Sequence, residues 1–246
     1  MRRDRAVAAP LASALLLGLV LVASVAACFL IVPTSVPDAP ASAAMLRAEA
    51  CGTSGRWTIA RLSVSAGTVH VPMIAAQNDR TGAGLVLQGL DPVATAGDLL
   101  WVATPAGQAG ALDCSGSVRL VDASRNALLA AVPARAGTTY PVAFEGVSCV
   151  SDAHGTTATV TLARVAPGLK ASDVQAFDDA TGGSTLPGGK LRYSASVGGA
   201  TALSPDDVLT IRTQRNKPEQ LNCGDALRFV DKVSGATLRI ATLPSG

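Results

Sequence analysis

Large rings are scarce in this chain. Its 246 residues include only 2 Trp, 2 Tyr and 4 Phe. Val, Leu, Ile and Ala must therefore fill the core, and apolar residues in all make up 48% of the sequence. Charge is sparse as well, at 15%, and the 20 basic and 18 acidic residues form no long block of one sign. A nucleic-acid binder carries a clustered basic footprint, so the pattern argues against nucleic acid as a partner. A disordered chain is apolar-poor and charge-rich, the reverse of what is found here.

Catalytic signatures are missing too. GxSxG, SxxK, HExxH, a glycine-rich phosphate loop and an EF-hand loop do not occur. The two histidines are far apart. His70 lies in the alternating run Thr68-Val69-His70-Val71, where the valines face a core and the imidazole faces the other way. His154 lies in the turn Ser151-Asp152-Ala153-His154-Gly155, which imitates a triad on paper, although neighbours in one turn rarely converge on one substrate atom. No CxxC or CxxH spacing offers zinc four donors. The sequence therefore assigns no catalytic residue, no metal and no cofactor, and reads as a chain that is not an enzyme.

What is present begins with Arg2, Arg3 and Arg5, followed by an uncharged stretch from Ala6 to Pro37. Its densest part, Leu11–Val32, would span a hydrocarbon layer of ~30 Å as a helix. Arginines before it and none just after it hold the N-terminus inside and send the rest out. Three fates are open: a retained membrane anchor, cleavage after Ala41-Ser42-Ala43, or lipidation of Cys28 within Val25-Ala26-Ala27-Cys28. All three make the remainder extracytoplasmic, membrane-anchored or secreted.

Four cysteines remain: Cys51, Cys114, Cys149 and Cys223. An even number in an exported chain reads as disulfides, with three connectivities available. An internal repeat selects one. A shift of 109 lays Asp98–Thr104 on Asp207–Thr213 and Leu112-Asp113-Cys114 on Leu221-Asn222-Cys223. It also lays Val118–Asp122 on Leu227–Asp231. Cys51 and Cys149 stand near the start of each copy, so duplication pairs Cys51 with Cys114 and Cys149 with Cys223. The second copy is longer, and the excess is expected within Ala171–Gly189.

After the N-terminal segment, short β-branched runs alternate with Gly, Pro, Asp and Asn, an all-β pattern. Expected strands include Arg56–Val64, Thr68–Ala75, Thr138–Phe144 and Lys190–Val197, which alternates from Leu191 onward. Each copy resembles an immunoglobulin-like sandwich in size, strand number and its one long-range disulfide. The organisation expected is an N-terminal signal or anchor with linker (1–45), a first sandwich (46–143) and a second (144–246). Trp101 is matched by Thr210, so that ring serves something the copies do not share.

The remaining polar candidates are few. Asp178-Asp179 could offer hard oxygens to a cation or bind a ligand from a loop. Arg119 and Arg228 recur with Asp122 and Asp231 at the same spacing, which suits strand ends closed by aspartate turns. The functional expectation is a non-catalytic cell-envelope protein, binding a protein or glycan partner through tandem β domains. The alternatives are a secreted glycan- or ion-binding module, or an extracellular hydrolase.

Overall fold

The computed structural model describes residues 43–214 and 220–245. The N-terminal apolar segment and Cys28 lie outside them. Among the described residues no helix is long and apolar enough to cross a membrane. Apart from short 3-10 turns such as Val71–Met73 and Ala171–Asp173, the regular structure of the described residues is entirely β.

Eight strands form the first half: β1 (Ala43–Ser54), β2 (Trp57–His70), β3 (Ile74–Asn78), β4 (Gly84–Gly89), β5 (Val93–Thr95), β6 (Leu99–Ala103), β7 (Ser117–Asp122) and β8 (Ala127–Pro133). Eight more form the second: β9 (Val142–Asp152), β10 (Gly155–Val165), β11 (Val174–Asp178), β12 (Gly183–Ser184), β13 (Leu191–Ala195), β14 (Val208–Thr213), β15 (Ala226–Asp231) and β16 (Thr237–Thr242). The first half runs β1-β2-β6-β4-β3-β7-β8, with β5 added to β2. The second divides the same order into two sheets, β9-β10-β14-β13 and β12-β11-β15-β16.

Besides β5, which has no counterpart strand in the second half among the described residues, the difference lies in one strand. β4 pairs with both β3 and β6, through Leu85 and Gly84 at one end and Val86–Gly89 at the other. Its counterpart is broken: β12 pairs with β11, β13 pairs with β14, and Thr185–Lys190 separates them. Added chain between two pairing segments lets each serve its own sheet.

The halves repeat in detail. Cys51 faces Ala60 across β1 and β2, and Cys149 faces Ala158 across β9 and β10. The Thr58 N–H donates to Thr104 Oγ1 at 3.2 Å, and the Thr156 N–H to Thr213 Oγ1 at 3.0 Å. Cys51 is bonded to Cys114 and Cys149 to Cys223, one bridge inside each half. Two such bridges suit an oxidising, extracytoplasmic compartment.

Several expectations need correction. Arg56–Val64 and Thr68–Ala75 do not form two strands, because β2 runs unbroken to His70. β1 was not expected at all. It is Ala-rich, and register shifts at Met45/Leu46 and Ala48/Ala50 break the alternation a strand normally shows. Within the expected Ala171–Gly189, Ala171–Asp178 is a 3-10 turn and β11, matching Val71–Met73 and β3, and most of the added length is the Thr185–Lys190 stretch that splits the strand.

Two apolar cores result. One belongs to the first half and includes Ala60, Leu62, Leu100, Val102, Val118 and Leu120. The other is built on the second half but also takes in Trp57, Ile59, Trp101 and Ala103. β6 and the Trp57–Leu62 part of β2 thus meet apolar residues on both faces, even-numbered residues inward and odd-numbered residues toward the second half. A doubly buried strand reads as a continuous apolar run, as Leu99-Leu100-Trp101-Val102-Ala103 does. β14 has no second half to meet, so Thr210 replaces Trp101 and Arg212 is exposed.

Polar contacts fasten the junction. One Arg56 Nη2 donates to Asp173 Oδ2 and to Asp231 Oδ1, each at 2.9 Å, and the guanidinium lies 4.7 Å from the centre of the Trp57 ring. Trp57 Nε1 donates to the Pro167 carbonyl at 2.9 Å. Gly55 takes a positive φ of 58° where the β1–β2 turn presses against Ser234, so a side chain there would collide.

Candidate functional site

The sheet geometry that packs the halves together leaves a cleft of about 490 Å³ beside the junction. From the first half, Arg61 on β2 and Leu99 and Trp101 on β6 line it. They are odd-numbered residues and so point outward from their own core. The second half contributes Val142 and Ala143 from β9, Arg164 from β10 and Arg239 from β16. Thr138–Tyr140, in the connection between the halves, closes one side.

Three guanidinium groups meet here, and none of the lining residues is acidic. Arg164 is only 3% exposed. Its Nη2 donates to the Tyr140 carbonyl at 2.6 Å and its plane lies 4.8 Å from the Trp101 ring centre. Its Nε and Nη1 have no hydrogen-bond partner, nor has Nε of Arg61. Arg239 stacks 5.1 Å from the centre of the Tyr140 ring. Burial, reinforced by the charges of Arg239 and Arg61, pushes Arg164 down to about 10. It is still charged at neutral pH. Glu49, a half-buried residue of β1, is an acid on which Arg61 acts. Its carboxyl is held below the usual range first by the Ser63 hydroxyl and then by Arg47, Arg61 and Arg135.

The residues singled out from the sequence are dispersed. Asp178 is buried at the end of β11, where Oδ1 accepts the N–H groups of Ala180 and Thr181 at 2.9 and 3.2 Å. Its neighbour Asp179 is exposed and holds Arg228 through two hydrogen bonds of 2.7 and 2.8 Å. Arg228 in turn lies 5.2 Å from the Phe177 ring centre. The two carboxylates point to different partners and do not form one cation cradle. Among the described residues there is no group of three or more His, Cys, Asp or Glu that could hold a metal.

His154 sits in an exposed turn, beside a second cavity of about 350 Å³ that Arg212 and Thr213 also line. Asp152 Oδ1 accepts the His154 main-chain N–H at 2.6 Å, while the Ser151 hydroxyl is engaged with Thr156 at 3.0 Å. These contacts shape the turn and leave Ser151, Asp152 and His154 without a relay between them. His70 is half-buried at the end of β2, next to Val69, which is fully buried. Asp122 and Asp231 close the turns after β7 and β15, accepting the N–H of Ser124 at 3.0 Å and of Ser234 at 3.1 Å.

Sequence reasoning missed the arginine cleft. Arg61, Arg164 and Arg239 are widely separated along the chain and each looks like an ordinary strand arginine. One signal was available. Arg164 shares parity with the buried Val160 and Leu162, which places a charge on the core face of β10. No protein-family model matches the chain, and no curated protein matches it.

Proposed function

We propose that this protein is a non-catalytic module of the cell envelope. In this reading, two tandem immunoglobulin-like sandwiches hold a protein or glycan partner outside the cytoplasm. The supporting observation is the junction: each half carries its own disulfide, and Arg56 and Trp57 of the first half are anchored on Asp173, Asp231 and Pro167 of the second. Domains fixed in this way present their loops in one arrangement, so a partner does not have to be ordered across a flexible hinge on binding. The N-terminal apolar segment would keep the module at the membrane or mark it for release.

The test uses the full chain in its own cells. A membrane-impermeant amine reagent should label Lys190 and Lys232 on intact cells, and in-cell cross-linking should recover the chain in a complex larger than itself. Labelling only after lysis would overturn the extracytoplasmic reading. A chain that stays monomeric under cross-linking would overturn the partner-holding role.

A second reading, a small-ligand-binding module, is favoured by the arginine cleft. Turnover of any substrate by the purified chain would contradict both.

A further inference from the structure

We propose that the cleft at the junction is an oxyanion site, built for a phosphate group carried as a monoester. The proposal stands apart from the identity of any macromolecular partner.

Uncompensated charge in a low-dielectric interior is unfavourable, and proteins normally pair it or leave it in water. Arg164 is nine-tenths buried or more, has two nitrogens without partners, and shares the cavity with Arg61 and Arg239 but with no carboxylate. An arginine needed only to fill space would be better replaced by a hydrocarbon side chain. A bound anion eases the conflict by offsetting the mutual repulsion of the three cations that line the cleft.

The stacking contacts point the same way. Trp101 and Tyr140 hold the planes of Arg164 and Arg239, so the N–H edges are fixed before any ligand arrives. Rings occupied by guanidinium planes are not free to stack a sugar, so the recognition offered is ionic. A carboxylate has two oxygens, which one guanidinium edge can satisfy. Phosphate presents three or more acceptors in a tetrahedral array and suits three separate guanidinium donors. A volume of about 490 Å³ lies within the range of small-molecule sites, ~300–1,000 Å³, and leaves room beyond the phosphate itself for the esterified group.

Thermal unfolding of the full chain, at constant ionic strength set with chloride, tests the proposal with three probes: inorganic phosphate, glycerol phosphate and citrate. The expected result is a saturable rise in Tm with phosphate, and half-saturation at lower concentration with glycerol phosphate. Arg239→Gln, at a half-buried position, should weaken the apparent affinity at least tenfold. Arg164→Met should abolish the response and melt above the wild type in chloride alone, because an unpaired charge has been removed. The proposal is overturned if phosphate does no more than chloride, or if Arg239→Gln responds like the wild type. A saturable response to citrate alone would overturn the assignment to phosphate. If Arg164→Met does not fold, the Arg239→Gln comparison still decides.

Discussion

The two halves provide an internal control for one buried side chain. Asn78 ends β3 and Asp178 ends β11 in matching positions. Asn78 Oδ1 accepts the N–H of Arg80 and Thr81 at 3.0 and 3.2 Å, as Asp178 Oδ1 accepts those of Ala180 and Thr181. The other side-chain atom behaves differently. Asn78 Nδ2 donates to the Ala111 carbonyl at 2.9 Å, whereas Asp178 Oδ2 is buried with no hydrogen-bond partner. Gln220 stands in the place of Ala111, and its own Oε1 also lacks a partner.

Asp178→Asn should therefore stabilise the protein, since it replaces a stranded acceptor by the amide donor that Asn78 uses at the matching position. One hydrogen bond contributes about 0.5–1.5 kcal/mol net, and relieving an unsatisfied buried group adds about 1–3 kcal/mol. Counting only the relief of the unsatisfied group, the gain of about 1–3 kcal/mol corresponds to a rise in Tm of roughly 2–12 °C for a chain of this size. Calorimetry at pH 7 under non-reducing conditions measures it. The reverse change, Asn78→Asp, should lower Tm by a similar amount. An unchanged or lower Tm for Asp178→Asn would refute the reasoning, because it would mean that the carboxylate is satisfied as it stands.

Other consequences follow from the junction, the bridges and the surface. Trp57→Ala removes a 2%-exposed ring and its bond to Pro167, and should cost about 3–5 kcal/mol by denaturant unfolding; a single transition should separate into two as the halves lose their contact. Replacing both cysteines of either pair by alanine should cost about 4 kcal/mol in the chain-entropy description. The two losses should be nearly equal, because loops of 63 and 74 residues differ little logarithmically. Asp179→Asn should cost less than about 1 kcal/mol at pH 7, since its pair with Arg228 is largely solvated. The Arg228 hydrogen bonds hold the Asp179 carboxyl below its ordinary 3.8, so this contribution is complete above that pH and disappears as pH falls through the depressed value. Acid unfolding curves of wild type and Asp179→Asn should therefore converge at low pH.

Much of the architecture was legible because its signals are local. Leu191–Ala195 alternates in sequence and in burial alike, and the aspartates at 122 and 231 mark strand ends by their own turn chemistry. The continuous β2 and the β1 strand were harder to read. Gly67 looks like a break in β2 although it pairs within the strand, and the bulges of β1 put successive small residues out of phase. The two-sided burial of β6 was written in Leu99–Ala103, but what covers the second face is more than forty residues away. The cleft was the least visible feature. It depends on three arginines brought together by packing between halves, and only the in-facing parity of Arg164 hinted at it.

Two β halves, each closed by its own disulfide, define this protein and suit an oxidising, extracytoplasmic compartment. The most direct measurement is a non-reducing peptide map of the full-length chain isolated from its own cells. It should recover Cys51 linked to Cys114 and Cys149 linked to Cys223, with no free thiol at these four positions. Reduced thiols, or a link between the two halves, would contradict the account.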